Sequence, residues 1–127
     1  MKPKHLFLVL SLTACAGPSY VYKGVQDGIE VSYRWNHPAS RPSELLLKLE
    51  NTTGADKGVS LDLDLYYQGR TVETFRADTC MRVGQTLNGK VNGIYFIPGR
   101  LTTEQIKSGD ATVELTRMMV SDTTACP

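Results

Sequence analysis

The stretch from Val59 to Tyr67 alternates apolar and polar residues without a break: Val59, Leu61, Leu63, Leu65 and Tyr67 interleave with Ser60, Asp62, Asp64 and Tyr66. A strand points successive side chains to opposite faces, so this spacing makes one apolar face and one wet face. Wound as a helix, the same residues would scatter the leucines around the axis. The pattern recurs. Ile29, Val31, Tyr33 and Trp35 alternate with Glu30, Ser32 and Arg34, and Leu45, Leu47 and Leu49 alternate with Leu46, Lys48 and Glu50. Half-buried strands of antiparallel sheets are the natural home for such runs.

Turn signals divide the strands. Asn51-Thr52-Thr53-Gly54 and Gln68-Gly69-Arg70 are rich in turn formers, and Thr71 to Ala77 returns as a strand, which predicts a hairpin of 59–67 with 71–77. Asn88-Gly89 between Met81–Leu87 and Lys90–Ile97 predicts a second hairpin. Thr102 followed three residues later by Gln105 has the form of a capping box, and Gly109 stops the helical turn expected near 102–108. Ala111 to Val120 reads as the last strand, with Val113, Leu115 and Met119 inward. Tyr20-Val21-Tyr22 is either a short edge strand or part of a tether. The predicted domain, residues 29–127, is all-β: an immunoglobulin-like antiparallel β-sandwich of seven to eight strands, with a small β-barrel as the alternative. Trp35 and the inward leucines are its expected core.

An address precedes this domain. Met1-Lys2-Pro3-Lys4-His5 is basic, and Leu6 to Leu12 is an apolar run of about seven residues, far short of the roughly twenty that span a bilayer. Leu12-Thr13-Ala14-Cys15 then resembles the lipobox of bacterial lipoproteins. That resemblance implies removal of residues 1–14 and fatty acyl chains on Cys15, with residues 15–28 as lipidated cysteine and tether. An ordinary secretory signal is the alternative. A single acyl chain holds a membrane only marginally, whereas several on one cysteine hold it stably. Ala16 stands where lipoproteins retained at the inner membrane carry Asp, so the same resemblance favours the outer membrane.

Loss of residues 1–14 leaves one small domain with 12 basic residues, Lys2 and Lys4 having gone, against 13 acidic ones. Charges of both signs mix along the chain, so neither nucleic-acid binding nor a polybasic membrane segment has a footprint in the sequence. With Cys15 lipidated, Cys80 and Cys126 remain as an even pair in an oxidising compartment, and a disulfide between them is expected. Closing a loop of some 46 residues supplies roughly 4 kcal/mol at most in chain-entropy terms.

Leu45 to Val72 carries a further likeness. An aliphatic strand ending in Glu50-Asn51-Thr52-Thr53 is followed by a polar loop and by VSLDLDLYYQGRTV. This resembles the FxLYD-type and related immunoglobulin-like domains of bacterial envelope lipoproteins, and it implies a sandwich of adhesive or scaffolding use. Fold likeness does not by itself carry function.

Catalytic machinery is hard to assemble from these residues. Nucleophilic hydrolysis needs a base beside its nucleophile, and past Cys15 the chain has one histidine, His37, in the loop sequence Asn36-His37-Pro38. No phosphate-cradling glycine loop, cofactor motif or cysteine–histidine zinc cluster occurs. Asp62 and Asp64 share one strand face and could in principle act as acid and base or begin a calcium site with Asp56 or Asp78; a solvated face balanced by neighbours such as Lys48 is the plainer expectation. One residue of each pair Tyr66/Tyr67 and Tyr95/Phe96 should face outward. The polar, proline-bearing loop Asn36–Ser43, with Asn36, His37 and Arg41, is the candidate contact loop. Asp122-Thr123-Thr124 resembles an O-glycan attachment site of Bacteroidota envelope proteins, which would place a glycan on Thr123. These residues together predict a non-catalytic, membrane-anchored envelope lipoprotein with no cofactor and no metal, serving as an accessory or binding subunit for an envelope protein partner. The alternatives are an inhibitor of an extracytoplasmic hydrolase and a carbohydrate-binding module.

Overall fold

The structure is a computed structural model and describes residues 19–127; the lipobox and Cys15 lie outside that range. Among the described residues eight strands follow in chain order: β1 (Val21–Gln26), β2 (Ile29–Asn36), β3 (Glu44–Asn51), β4 (Lys57–Tyr67), β5 (Arg70–Met81), β6 (Thr86–Asn88), β7 (Tyr95–Phe96) and β8 (Ala111–Asp122). Among the described residues one α-helix, α1 (Thr103–Lys107), precedes β8. All pairings are antiparallel. One sheet runs β1-β2-β3 with both β6 and β7 along the free side of β3, and the other runs β5-β4-β8. The sandwich expected from the period-two runs is therefore present, as two facing sheets and not as a closed barrel.

Its centre is made by the inward sides of β3 and β4. Leu45, Leu47 and Leu49 from one sheet and Leu61, Leu63 and Leu65 from the other are all fully buried, with Ile29, Val31, Met81 and Val113 around them. Tyr33 and Trp35 are only half-buried and pack on its margin. Asn51, at the end of β3, is 1% exposed and fully used. Its Nδ2 donates to Ala55 O at 2.9 Å and Arg82 O at 3.0 Å, and shares a longer contact with Met81 O at 3.3 Å. Its Oδ1 accepts from Thr53 N at 2.9 Å and Thr53 Oγ1 at 2.7 Å. Such satisfaction is what allows a polar side chain to be buried without a large penalty.

The β4–β5 hairpin is as expected: Gln68 (φ 51°) and Gly69 (φ 83°) are both left-handed, as a type I′ turn requires. The edge-strand alternative holds at the N-terminus and extends further, to Gln26, because Asp27 (φ 47°) and Gly28 (φ 81°) form a second turn of this kind. A Cβ on Gly28 would also clash with Thr53 Cγ2. Thr102 accepts from Gln105 N at 3.1 Å and Gln105 Oε1 accepts from Thr102 N at 2.8 Å, completing the capping box.

Four expectations need correction. Asn88-Gly89 does not turn a hairpin. β6 and β7 each run antiparallel to β3, so they run parallel to each other, end to end along one edge. Gly89 N donates to Leu47 O and Leu47 N donates to Ile94 O, which carries the β3 ladder across the gap while residues 90–93 bulge outward as a 3₁₀ turn. Gly89 sits so close to β3 that a Cβ would lie 3.2 Å from that of Leu46. This outpocketing also buries Leu46, which alternation assigns to the wet face. On β8 the pairing slips between Asp62 and Leu63, whose partners are Arg117 and Leu115. Thr116 is the extra residue, and a bulge of one residue flips every side chain beyond it. Met118 therefore packs on the core and Met119 is exposed. Tyr66 and Tyr67 are both half-buried, so neither stands fully outward, and the slip beside them falls on β5, where Val72 is the extra residue.

The two sheets are drawn together along one side, where Gln26 Nε2 donates to Met118 O at 3.0 Å and Lys23 lies 3.4 Å from Glu114. The bulge predicts an asymmetry between neighbours. Met118→Asp should cost about 2 kcal/mol or more of unfolding free energy and Met119→Asp no more than roughly 0.5 kcal/mol, as urea denaturation would read.

Candidate functional site

Three regions gather the chemistry-bearing residues: the loop before β3, the outer face of the β5-β4-β8 sheet, and the outer face of the other sheet near Tyr20. In the loop, Asn36 is not projected outward; its Nδ2 donates to Glu44 Oε1 at 2.8 Å. His37 Nδ1 lies 2.7 Å from Ser43 Oγ, and Ser43 Oγ donates to Thr103 Oγ1 at 2.9 Å. This serine–histidine contact, which sequence spacing did not suggest, ties the loop to α1. Ser43 is 2% exposed and beyond the reach of a substrate. Partial burial, and secondarily Lys107, hold the His37 pKa below its ordinary value. Arg41 remains exposed beside Ser40, whose φ is 63°, and lines a shallow hollow with Pro38, Pro42, Thr103 and Glu104.

Asp62 is held in a charged row across the second sheet. Arg117 meets it side-on, Nε to Oδ2 at 3.0 Å and Nη2 to Oδ1 at 3.0 Å, and Arg76 Nε reaches Oδ1 at 3.0 Å. These hydrogen bonds hold the Asp62 carboxyl well below the usual carboxylate range, Arg117 contributing most. Its balancing neighbours are thus Arg76 and Arg117, whereas Lys48 belongs to the other sheet. Asp64 accepts from Thr74 and Thr116. Asp56 accepts from Val83 N and Cys126 N, and so caps backbone. Among the described residues no group of three or more His, Cys, Asp or Glu side chains could hold a metal. Paired with arginines on both sides, Asp62 is fixed as an anion and unsuited to proton transfer near neutrality.

Cys80 and Cys126 form the disulfide, with Cα atoms 5.6 Å apart and 46 residues between them in sequence. It fastens the chain end beside β5. Arg82 Nη2 donates to Pro127 O at 2.8 Å. Asp122 closes β8 in a 2.6 Å ion pair with Lys57, and the adjacent Thr123 is half-buried.

The third region was not legible in the sequence. Tyr20 lies against the outer face of the first sheet, with the Arg34 guanidinium 5.3 Å and the Lys48 ammonium 5.6 Å from its ring centre. A hollow of about 400 Å³ opens beside it, lined by Tyr20, Arg34, Asn36, Leu46, Gly89, Lys90 and Val91. Lys90 lies 5.3 Å from the Tyr95 ring centre and 2.9 Å from Glu44 Oε2. Lys90 and Asn36 together lower the Glu44 pKa despite burial, which acts the other way. Val91, at the tip of the 3₁₀ bulge, is 88% exposed. Phe96 turns inward to stack on Phe75 at 4.9 Å, which leaves Tyr95 as the outward member of that pair.

The fold also sorts charge by end. Arg41, Arg70, Arg100 and Lys107 stand at the end that carries α1, accompanied by Glu104 and Asp110. Asp27, Glu30, Glu50, Asp56 and Asp122 gather at the disulfide end, with Lys57 and Arg82. Compared with known proteins, the chain matches no family model, no curated protein and no solved structure.

Two outcomes follow. Replacing both cysteines by serine should lower the unfolding free energy by up to about 4 kcal/mol, and reductant should shift the native protein's denaturation midpoint in the same direction. Asp62, Glu44 and Asp122 all have folded pKa values below their unfolded ones. Their stabilisation is therefore complete above about pH 4 and is lost as pH falls through the lowered values. Asp62→Asn should flatten that acid limb in denaturation curves taken between neutral and strongly acid pH.

Proposed function

We propose that this protein is a non-catalytic lipoprotein of the bacterial cell envelope, anchored through acylated Cys15 at the outer membrane and serving as an accessory or binding subunit for an envelope protein partner. The observation that carries this reading is the lipobox Leu12-Thr13-Ala14-Cys15 taken with the cysteine pairing: Cys80 and Cys126 are spent on each other, which leaves Cys15 for the lipid. A bridge of this kind also suits an oxidising compartment. The likeness of Leu45–Val72 to FxLYD-type envelope domains accords with such a role.

The partner contact falls to the loop between β2 and β3. Its base is braced by the His37–Ser43–Thr103 chain while Arg41 stays exposed, so the loop presents a side chain from a fixed frame. A pre-organised loop loses less entropy on binding. The same bracing favours a second reading, an inhibitor that presents this loop to an extracytoplasmic hydrolase.

Intact mass of the protein extracted from membranes should show a chain beginning at Cys15 with added acyl mass, and Cys15→Ser should move it out of the detergent-extracted membrane fraction. A mature chain beginning elsewhere would refute the anchor. In-cell crosslinking followed by purification should recover a stoichiometric envelope protein, and Arg41→Glu should weaken that recovery without moving the thermal midpoint. Inhibition of a hydrolase by the purified protein, with no crosslinked partner, would favour the second reading.

A further inference from the structure

We propose that the corner of the sandwich formed by Arg34, Lys48, Lys90 and the tip residue Val91 is a membrane-docking face that rests on anionic lipid headgroups. The inference rests on the anchored reading above and gives the domain an orientation within it.

The position of the chain's entry is the first ground. Only five peptide steps separate Cys15 from Tyr20, at most about 18 Å of extended chain. Tyr20 itself is placed: it lies between Arg34 and Lys48 and beside Gly89, whose Cβ, if it had one, would be 3.3 Å from the Tyr20 hydroxyl. An anchor at Cys15 therefore brings the bilayer surface to this corner before any other part of the domain.

Chemistry is the second ground. Three cations meet one carboxylate here, Glu44, and that carboxylate is buried beneath Lys90. The Lys90 side chain stays partly exposed although its ammonium is paired with Glu44, and Arg34 and Lys48 have no acidic partner within salt-bridge distance among the described residues. Glu30 and Glu50, directly paired across β2 and β3, stand on the same face but at its disulfide end. The face is thus basic where the chain enters and acidic away from it, which tilts the domain with its basic end down on a negative surface. Tyr20 and Tyr95 add aromatic rings beside the cations, and the tip residue Val91 projects an apolar side chain suited to the headgroup boundary. None of these cations is contiguous in sequence. They arrive from β2, β3 and the bulge between β6 and β7.

The test places a nitroxide at Val91→Cys and, separately, at Met119→Cys on the outer face of the other sheet. The full chain is reconstituted into vesicles of phosphatidylethanolamine with phosphatidylglycerol, and intact mass is measured on the same sample. Relaxation of the nitroxide by a water-soluble nickel chelate should be several-fold weaker at position 91 than at 119. The difference should shrink in purely zwitterionic vesicles, in about 1 M salt where the Debye length is roughly 3 Å, and in the Arg34→Glu/Lys48→Glu double variant. Because lipid and salt are changed without mutation, a folding defect in the variant cannot mimic the result. Equal exposure at 91 and 119, or protection indifferent to lipid charge and salt, would overturn the docking face. A chain without acyl mass would refute the lipid anchor alone, since the nitroxide comparison still reports which face meets the bilayer.

Discussion

The two rows of leucines facing each other across the sandwich are the constraint on which the rest depends. Leu45, Leu47 and Leu49 on β3 can be dry only if β4 supplies Leu61, Leu63 and Leu65 opposite them. Each buried leucine contributes about 2 kcal/mol of transfer free energy, and only this register presents all six to one interior. A slip of one residue in either strand would exchange leucines for Lys48, Asp62 and Asp64. Every other strand is placed by pairing with one of these two or, for β1, with β2.

That central demand explains where the irregularities fall. Bulges occur on the edge strands, at Lys23 on β1, Val72 on β5 and Thr116 on β8, where a change of face does not disturb the leucine rows. The edge of β3 is completed by two short strands with an excursion between them, and the excursion is what produces the Val91 tip and covers Leu46. At the disulfide end, Asn51 collects the loops that leave the sheets and the Cys80–Cys126 bridge fixes the last residues. A domain this small gains from both, because its core alone buries a modest area.

Polar chemistry is distributed according to the same frame. Asp62 was legible as a residue on a wet strand face, but its partners were not, because Arg76 and Arg117 come from strands on either side of β4. The serine–histidine contact is local, six residues apart, yet its brace Thr103 is sixty residues further on. The short dipeptide signals behaved unevenly for the same reason. Asp27-Gly28 turns a hairpin because β1 and β2 have each other to pair with, while Asn88-Gly89 does not, because both its flanks are captured by β3.

The sequence by itself determined strands β2 to β5 and β8, the faces of β2 to β4, the β4–β5 hairpin, the capped helical turn and the pairing of the last two cysteines. Those features depend on period-two alternation, local turn chemistry and counting, all of which act over a few residues or need no coordinates. Tertiary structure alone decided the phase of β8 past its bulge, the interrupted strand beside β3, the partners of Asp62 and the gathering of Arg34, Lys48 and Lys90 around Tyr20. A chain whose charges look evenly mixed acquires a basic corner and an acidic end only when its strands are stacked, because charge density is a property of surfaces and not of runs of residues.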